Sequence, residues 1–417
     1  MRSRGLKSSL VVAALVGVLS AAACSTSSQA TSDTSSQASP ARSPLTIAYI
    51  SSLTGAAGPE YAGSQAGFLA RIDYQNSIGG VSGHRLVPLV LDDQSSPSTI
   101  ASAVQLAISK GVIGIVTDSP LFFLAAKYPN RAGVPVTGSF ADGPEWGEQP
   151  YTNMFSSDHG SVDPKYPVNT LIGTFTKQHG GTVIGTYGYS VSPISTSSTI
   201  GNARSFQLAG GKVGVLDTTV PFGSSDFTST ALVGKEQGVN AIFPSLQNSS
   251  NYALDTAFEQ AGVKLKVALF ATGYEPDVIN SPSWPALQGA YFFSIFRPFS
   301  LPNAGTEEMA ATMQKYAGFT KNRFPSFGEY ESWVGLDLMI KGIQSAGSDP
   351  THASVVKGLR GITAYNANGL LPTTIDYATI FGHDSPDCVW ALQVHPKGFV
   401  PVSSQPVCGH DVPGTSS

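Results

Sequence analysis

The stretch IGGVSGHRLVPLVLDDQSSPS, Ile78 to Ser98, decides the fold. Gly79, Gly80 and Gly83 break the chain, HRLVPLVLDD then runs as a strand, and Asp92 and Asp93 close it. Pro88 has no N–H to give a ladder, which places this strand at a sheet edge or a bulge. Ser96-Pro97 is a helix start, with Ser as N-cap and Pro at the first helical position. Adjacent acids suggest metal or acid–base chemistry. Here they read as punctuation between strand and helix, with a place on the rim of a cleft as the alternative.

Working outward, the same alternation repeats. LTIAYIS, from Leu45, is a strand, and Ala62, Ala66, Leu69, Ala70 and Ile72 give the next segment a helical period. After the quoted stretch, Ile100, Ala103, Val104, Ala107 and Ile108 carry a helix, VIGIVTD a strand, Leu121 to Tyr128 a short helix and VPVTGSF a strand. Beyond SSDHGSVDPKYPVN the pattern restarts. Its strands are TVIGTYGY, KVGVLDTTV, NAIFPSL and KVALFAT, with helices over Ile200 to Ala209, from Asp226 through Lys235, and over Tyr252 to Gly262. YFFSIFRPF then leads to helices over Thr306 to Tyr316, Tyr330 to Ala346 and His352 to Leu359. Strands alternating with helices predict an α/β fold of two doubly wound lobes, whose ligands bind beyond the carboxyl ends of the strands.

The ends read differently. Arg2, Arg4 and Lys7 precede an apolar run from Leu10 to Leu19, which is too short for a spanning helix, and then Ala21, Ala22, Ala23 and Cys24. Residues 1–23 are therefore expected to be a signal peptide. The run into Cys24 resembles a bacterial lipoprotein signal, which implies a lipid on Cys24 and an extracytoplasmic protein anchored to the cell membrane. Residues 24–44 are Ser/Thr-rich and read as a disordered tether. Charged residues are 12% of the chain and its net charge is −4, so it lacks the basic face that nucleic acid requires. Cys388 and Cys408 flank VWALQVHPKGFVPV, which reads as a hairpin whose ends bring the cysteines together. A disulfide suits an exported protein; zinc with His395 or His410 and free thiols are the alternatives.

The chain resembles the type I periplasmic substrate-binding proteins, specifically the Leu/Ile/Val-binding group of ABC importers. Asn76, Gly79, Gly80, Val81, Gly83, Asp92, Asp93 and Pro97 carry the resemblance, with the loop SSLTGAAGPEY, the stretch FGSSDFTSTALVGKEQGVNAIFPS and the helix YESWVGLDLMIKGIQSAG. It implies two lobes joined by three hinge crossovers: residues 45–157 plus 296–362, and residues 158–295 plus 363–410, with 411–417 as a flexible tail. It also implies a small ligand in the cleft, a membrane permease as docking partner, a monomer and no cofactor. By position, Tyr61, Asp118, Ser119, Phe140, Ala141 and Asp142 line the cleft from the first lobe. Tyr189, Gln247, Asn248, Tyr274 and Glu275 line it from the second, and Phe296 lies near a crossover. In amino-acid binders of this group, first-lobe Ser and Thr hold the carboxylate and a second-lobe acid holds the ammonium. Ser119 matches the first role and Glu275 or Tyr274 the last, but Ala141 or Asp142 falls at the Thr position. That departure implies a less anionic solute with aromatic or apolar bulk.

Enzyme motifs are missing: there is no G-x-S-x-G, H-E-x-x-H or G-x-x-x-x-G-K. A solute-binding protein, rather than an enzyme, is expected. A ligand sensor of the same fold acting on a separate partner is the alternative.

Overall fold

The structure, a computed structural model, describes residues 42–138, 143–146, 149–157, 167–379 and 388–415. Cys24, Phe140, Ala141 and Asp142 lie outside the described residues. The first sheet contains β1 (Leu45–Ser51), β2 (Leu86–Asp92), β3 (Gly114–Thr117), β4 (Val136–Gly138) and β5 (Met154–Ser156), all parallel, in the order β2-β1-β3-β4-β5. Pro88 thus sits on an edge strand, as its missing N–H requires. Between these strands run α1 (Ser64–Ser77), α2 (Pro97–Ser109) and α3 (Lys127–Ala132). Ser96 and Pro97 do start α2, but the Ser96 hydroxyl pairs with that of Ser98 and caps no backbone N–H. The helix expected over Leu121 to Tyr128 forms instead as a single turn at Phe122–Leu124 and then α3.

The chain then enters the second sheet. After β6 (Val168–Asn169) come α4 (Leu171–Gln178), β7 (Val183–Tyr189), α5 (Pro193–Leu208), β8 (Lys212–Val220), α6 (Thr228–Glu236), β9 (Ala241–Ser245), α7 (Asn248–Gln260), β10 (Val267–Phe270) and β11 (Tyr291–Ser294). Three helices return to the first sheet: α8 (Ala304–Tyr316), α9 (Phe327–Ser345) and α10 (His352–Arg360). The last strands are β12 (Cys388–His395), β13 (Gly398–Pro401), β14 (Val407–Cys408) and β15 (Asp411–Val412). The path of the second sheet is β13-β12-β11-β10-β9-β7-β8, with β14 on β12. The chain changes sheet three times: after β5, after β11 and before β12.

Each sheet has apolar cores. Ile47, Tyr49, Phe68, Val116, Trp333, Leu336 and Met339 bind the first sheet to α1 and α9. Gly67 makes that crossing close: a Cβ there would lie 2.5 Å from the backbone oxygen of Glu329. Tyr187, Phe258, Phe270 and Phe292 fill one face of the second sheet, and Phe175, Phe206 and Phe293 the other.

Two expectations are corrected. The chain stays with the first core beyond Ile362, because the Tyr365 hydroxyl donates to Val334 O (2.9 Å) and that of Tyr377 to Ser156 O (2.7 Å). The tail is tied at its start rather than free: β15 pairs with β6 at Asp411↔Asn169 and Val412↔Val168. The hairpin and disulfide expectations hold: β12 turns back antiparallel on β13 from His395↔Gly398 to Leu392↔Pro401, and the pairing resumes at the cysteines. Cys408 lies on β14, which pairs with the start of β12 in the register Cys388↔Cys408, and the two sulfurs are bonded.

That bond closes a loop across 20 residues of sequence separation. Cys408→Ser is expected to lower unfolding stability by about 3 kcal/mol, the entropy a loop of that size regains in the unfolded chain. Urea titrations of variant and parent check this. A loss below about 1 kcal/mol would mean that β14 pairing holds the ends together unaided.

Candidate functional site

In both sheets the predicted residues sit where parallel strands end. On the first, the loop after β1 carries Ser52, Leu53, Thr54, Glu60 and Tyr61, and the loop after β3 carries Asp118 and Ser119. Asp92 is architectural. It accepts the Thr54 hydroxyl (2.6 Å) and the N–H groups of Leu53 (3.0 Å), Thr54 (3.2 Å) and Gln94 (2.8 Å). Burial raises its pKa, but these donors outweigh burial and hold it below the usual carboxylate range.

Asp93 is different. It is buried and accepts the hydroxyls of Ser52 (2.7 Å) and Ser119 and the N–H of Ser95 (2.7 Å). Burial still wins, and its pKa is raised. Asp118, also buried, accepts the Tyr49 hydroxyl at 2.7 Å through one oxygen, while its other oxygen has no hydrogen-bond partner. Burial, with the Asp93 charge adding to it, pushes the Asp118 carboxyl well up. Ser119, expected to hold a carboxylate, thus gives its proton to Asp93 and lies beside a second acid. An anionic group is disfavoured at this position.

On the second sheet the loops after β7, β9 and β10 converge. The Tyr189 hydroxyl donates to Ser250 Oγ (2.8 Å) and accepts from the Gln247 N–H (3.2 Å). Gln247 is buried with both amide atoms unpartnered. Asn248 starts α7 and reaches Glu275, donating from Nδ2 to Oε1 (3.4 Å), while the Thr272 hydroxyl donates to Asn248 Oδ1 (2.5 Å).

The lobes touch here. Glu275 Oε1 also accepts the N–H of Phe327, the first residue of α9 (3.1 Å). Glu60 is buried on the other side of this contact, where Thr272 and the Asn248 backbone N–H oppose the effect of burial on its carboxyl. Burial pushes Glu60 up to about 8. It raises Glu275 well above the carboxylate range, with Glu60, Glu329 and Asp277 adding to the effect and the Phe327 N–H opposing it. Glu329 caps α9 by accepting the Ser326 N–H (2.7 Å) and pairs with Arg323 (2.9 Å).

The structure therefore brings Tyr189, Gln247, Asn248 and Glu275 together. Tyr61 lies near them, its ring centroid 6.4 Å from that of Phe327. Asp118 and Ser119 form a separate group with Asp93 and Tyr49. Tyr274 is packed between Phe324 (4.5 Å, stacked) and Phe399 (5.1 Å, edge-on). Phe296 stacks on Tyr330 (5.1 Å) within the first core. Trp146 is buried against Phe122 (5.8 Å). Sequence reasoning missed Glu60, although it stands beside Tyr61 in the same loop. It also missed Thr272, because the strand was carried two residues beyond its end at Phe270.

A model for the family described as periplasmic binding proteins matches residues 44–398. The chain belongs to this family. No curated protein matched the sequence. Among solved structures, a fatty acid ABC transporter substrate-binding protein from Thermomonospora curvata superposes with a TM-score of 0.72 at 16% identity, covering 89% of this chain and 93% of that one. A branched-chain amino acid ABC transporter protein from Thermus thermophilus with bound valine gives 0.73 at 15%, covering 88% and 96%. A solute-binding protein from R. palustris in complex with benzoate gives 0.68 at 14%, covering 90% and 99%. At these identities the similarity concerns the fold, two α/β lobes of the periplasmic binding protein type. Among the described residues, no helix is long and apolar enough to cross a membrane, and no group of His, Cys, Asp and Glu suits a metal.

Proposed function

We propose that this periplasmic binding protein is the extracytoplasmic solute receptor of an ABC importer, anchored through a lipid on Cys24 and closing its lobes by a hinge around a small molecule. One observation carries the reading. The loop after β10 of the second sheet meets the start of α9 on the first, and the loops after the parallel strands of the second sheet bring buried polar groups there, with both amide atoms of Gln247 unpartnered. Buried amides are satisfied almost everywhere in folded proteins, so an unpaired one at a strand-end cleft marks a place for a ligand.

The solute class follows from the charges. Asp93, Asp118, Glu60 and Glu275 supply four buried acids from the strand-end loops. A free carboxylate on the solute meets no cation among these groups. A neutral or amine-bearing solute, with apolar bulk against Tyr61 and Phe327, fits better. The named relatives are a fatty acid transporter's substrate-binding protein and proteins with bound valine and benzoate, so the shared fold leaves the solute to the loops.

Native mass spectrometry of the purified protein, looking for a co-purified small molecule, is the direct test. A thermal-shift screen follows, since a ligand at 100 times its Kd stabilises by about 2.7 kcal/mol. In calorimetry, leucine, isoleucine and valine are each expected to show no micromolar binding. Micromolar affinity for any of them would overturn this assignment of solute class.

A further inference from the structure

We infer that the solute presents a planar group with an N–H donor beside an acceptor, as in an amide, a urea or a nucleobase edge, and that this group pairs through two hydrogen bonds with the side chain of Gln247. The inference rests on the receptor reading above and narrows its solute class. Gln247 lies between β9 and α7, where a parallel strand gives way to a helix. Its main chain is fully used: the N–H donates to the Tyr189 hydroxyl (3.2 Å) and the carbonyl accepts the Asn251 N–H (2.9 Å). It is the N-cap of α7, yet its side chain caps no backbone N–H. That side chain is buried, with the residue 7% exposed, and neither Oε1 nor Nε2 has a partner. The backbone is thus fixed on both sides while the amide is left unmet.

The neighbouring polar groups are already committed elsewhere. The Tyr189 hydroxyl gives its proton to Ser250 Oγ (2.8 Å), and Ser250 gives its own to Ser224 O (2.6 Å). Thr272 donates to Asn248 Oδ1 (2.5 Å), and Asn248 Nδ2 faces Glu275 Oε1 (3.4 Å). A primary amide carries N–H donors and acceptor lone pairs side by side in one plane. Burying both ends unmet costs free energy, which a partner of matching pattern returns.

The chemistry of that partner follows from the pattern. A carboxylate offers acceptors only and would leave Oε1 unmet. An ammonium offers donors only and would leave Nε2 unmet. A planar group with N–H beside C=O, or beside a ring nitrogen, meets both ends at once, the same bidentate fit by which Gln reads an adenine edge. Such a group also brings no charge to a place where the next residue, Asn248, leads to the buried Glu275.

Calorimetry on the full-length protein with matched probes tests this. Phenylacetamide, phenylurea and adenine are three sources of the donor–acceptor edge. Phenylacetate and phenethylamine are the acceptor-only and donor-only counterparts. At least one of the first three is expected to bind about tenfold or more tightly than both counterparts, the difference that one unmet buried hydrogen-bonding end makes. Which of the three binds best names the source of the edge. Gln247→Met, which keeps the side chain's length without its amide, is expected to erase that preference. Gln247→Leu is the second variant should the first fold poorly, with the same expectation. No binding by any of the three, equal affinity for all the probes, or a preference that survives loss of the amide would overturn the inference. Tighter binding of phenethylamine removes the amide pairing and leaves the receptor reading standing with an amine-bearing solute. Tighter binding of phenylacetate removes the charge argument for the solute class as well. A protein that binds none of the probes and carries no co-purified small molecule loses the receptor reading too.

Discussion

Arg71→Ala is expected to cost about 3 kcal/mol of unfolding stability, as measured by urea denaturation at neutral pH. Arg71 is a charged residue in the middle of α1, yet it is 5% exposed. Its Nη2 donates to Asp337 of α9 (2.9 Å), its Nη1 to Gln75 (3.0 Å), and its guanidinium lies 5.5 Å from the rings of Tyr74 and Trp333. Gln75 in turn donates to the Gly80 carbonyl (2.6 Å), so this one side chain ties α9 to the glycine turn that precedes β2. Truncation strands Asp337 in a poorly hydrated place, which is why breaking such a pair costs more than the pair is worth. Lys341, at 3.8 Å, and the Tyr365 hydroxyl, at 3.2 Å, still reach Asp337, which keeps the cost at the lower end of the range. The double variant Arg71→Met with Asp337→Leu removes both charges and is expected to recover most of the loss. A single-variant cost below about 1 kcal/mol would show that apolar packing alone holds α1 to α9.

Why that pair was invisible in the sequence explains what was and was not legible. Gly79, Gly80, Pro88, Ser96-Pro97 and the apolar periods act within a few residues of chain, so the strand–helix alternation and both sheets could be read directly. Arg71 and Asp337 are 266 residues apart, and nothing local marks either as buried. The candidate site divides in the same way. Tyr189, Gln247, Asn248 and Glu275 were legible because each lies at or beyond the end of a strand. Glu60 was not, because the loop between β1 and α1 has no period to say which side chain turns towards the other lobe. Ser326 to Glu329 is a capping box, S-x-x-E, readable as a helix start. Starting α9 at Tyr330 passed over it, and with it Phe327, whose N–H reaches Glu275. For Asp92 and Asp93, the reading as punctuation fits Asp92. Asp93 depends on Ser119, a contact across 26 residues that pattern alone does not reveal.

Tyr274→Ala is expected to cost about 3 kcal/mol and also to loosen the contact between the lobes. Tyr274 follows β10 in the second sheet, but its ring stacks on Phe324, in the segment leading into α9 of the first lobe. Phe399 of β13 closes on it edge-on, and Phe399 in turn meets Trp284 (5.4 Å) and Phe292 (5.3 Å). Burial raises the Tyr274 hydroxyl's pKa, and the Phe299 backbone N–H opposes that rise. Removing the ring leaves a cavity in an aromatic cluster whose other members are anchored to both lobes and cannot collapse together, the circumstance in which aromatic truncations cost most. Tyr274→Phe keeps the stack and loses only the hydroxyl, so a loss of about 1 kcal/mol is expected. Glu275 is the next residue, so the alanine variant should also loosen the hydrogen bonds of Glu275 to Asn248 and to the Phe327 N–H, and raise the radius of gyration above that of the parent. If the variant loses stability but its scattering matches that of the parent, the aromatic stack is a packing element of the second lobe and the Glu275 contact to the start of α9 survives without it. If Tyr274→Phe costs as much as Tyr274→Ala, the hydroxyl, and not the stack, makes the contact.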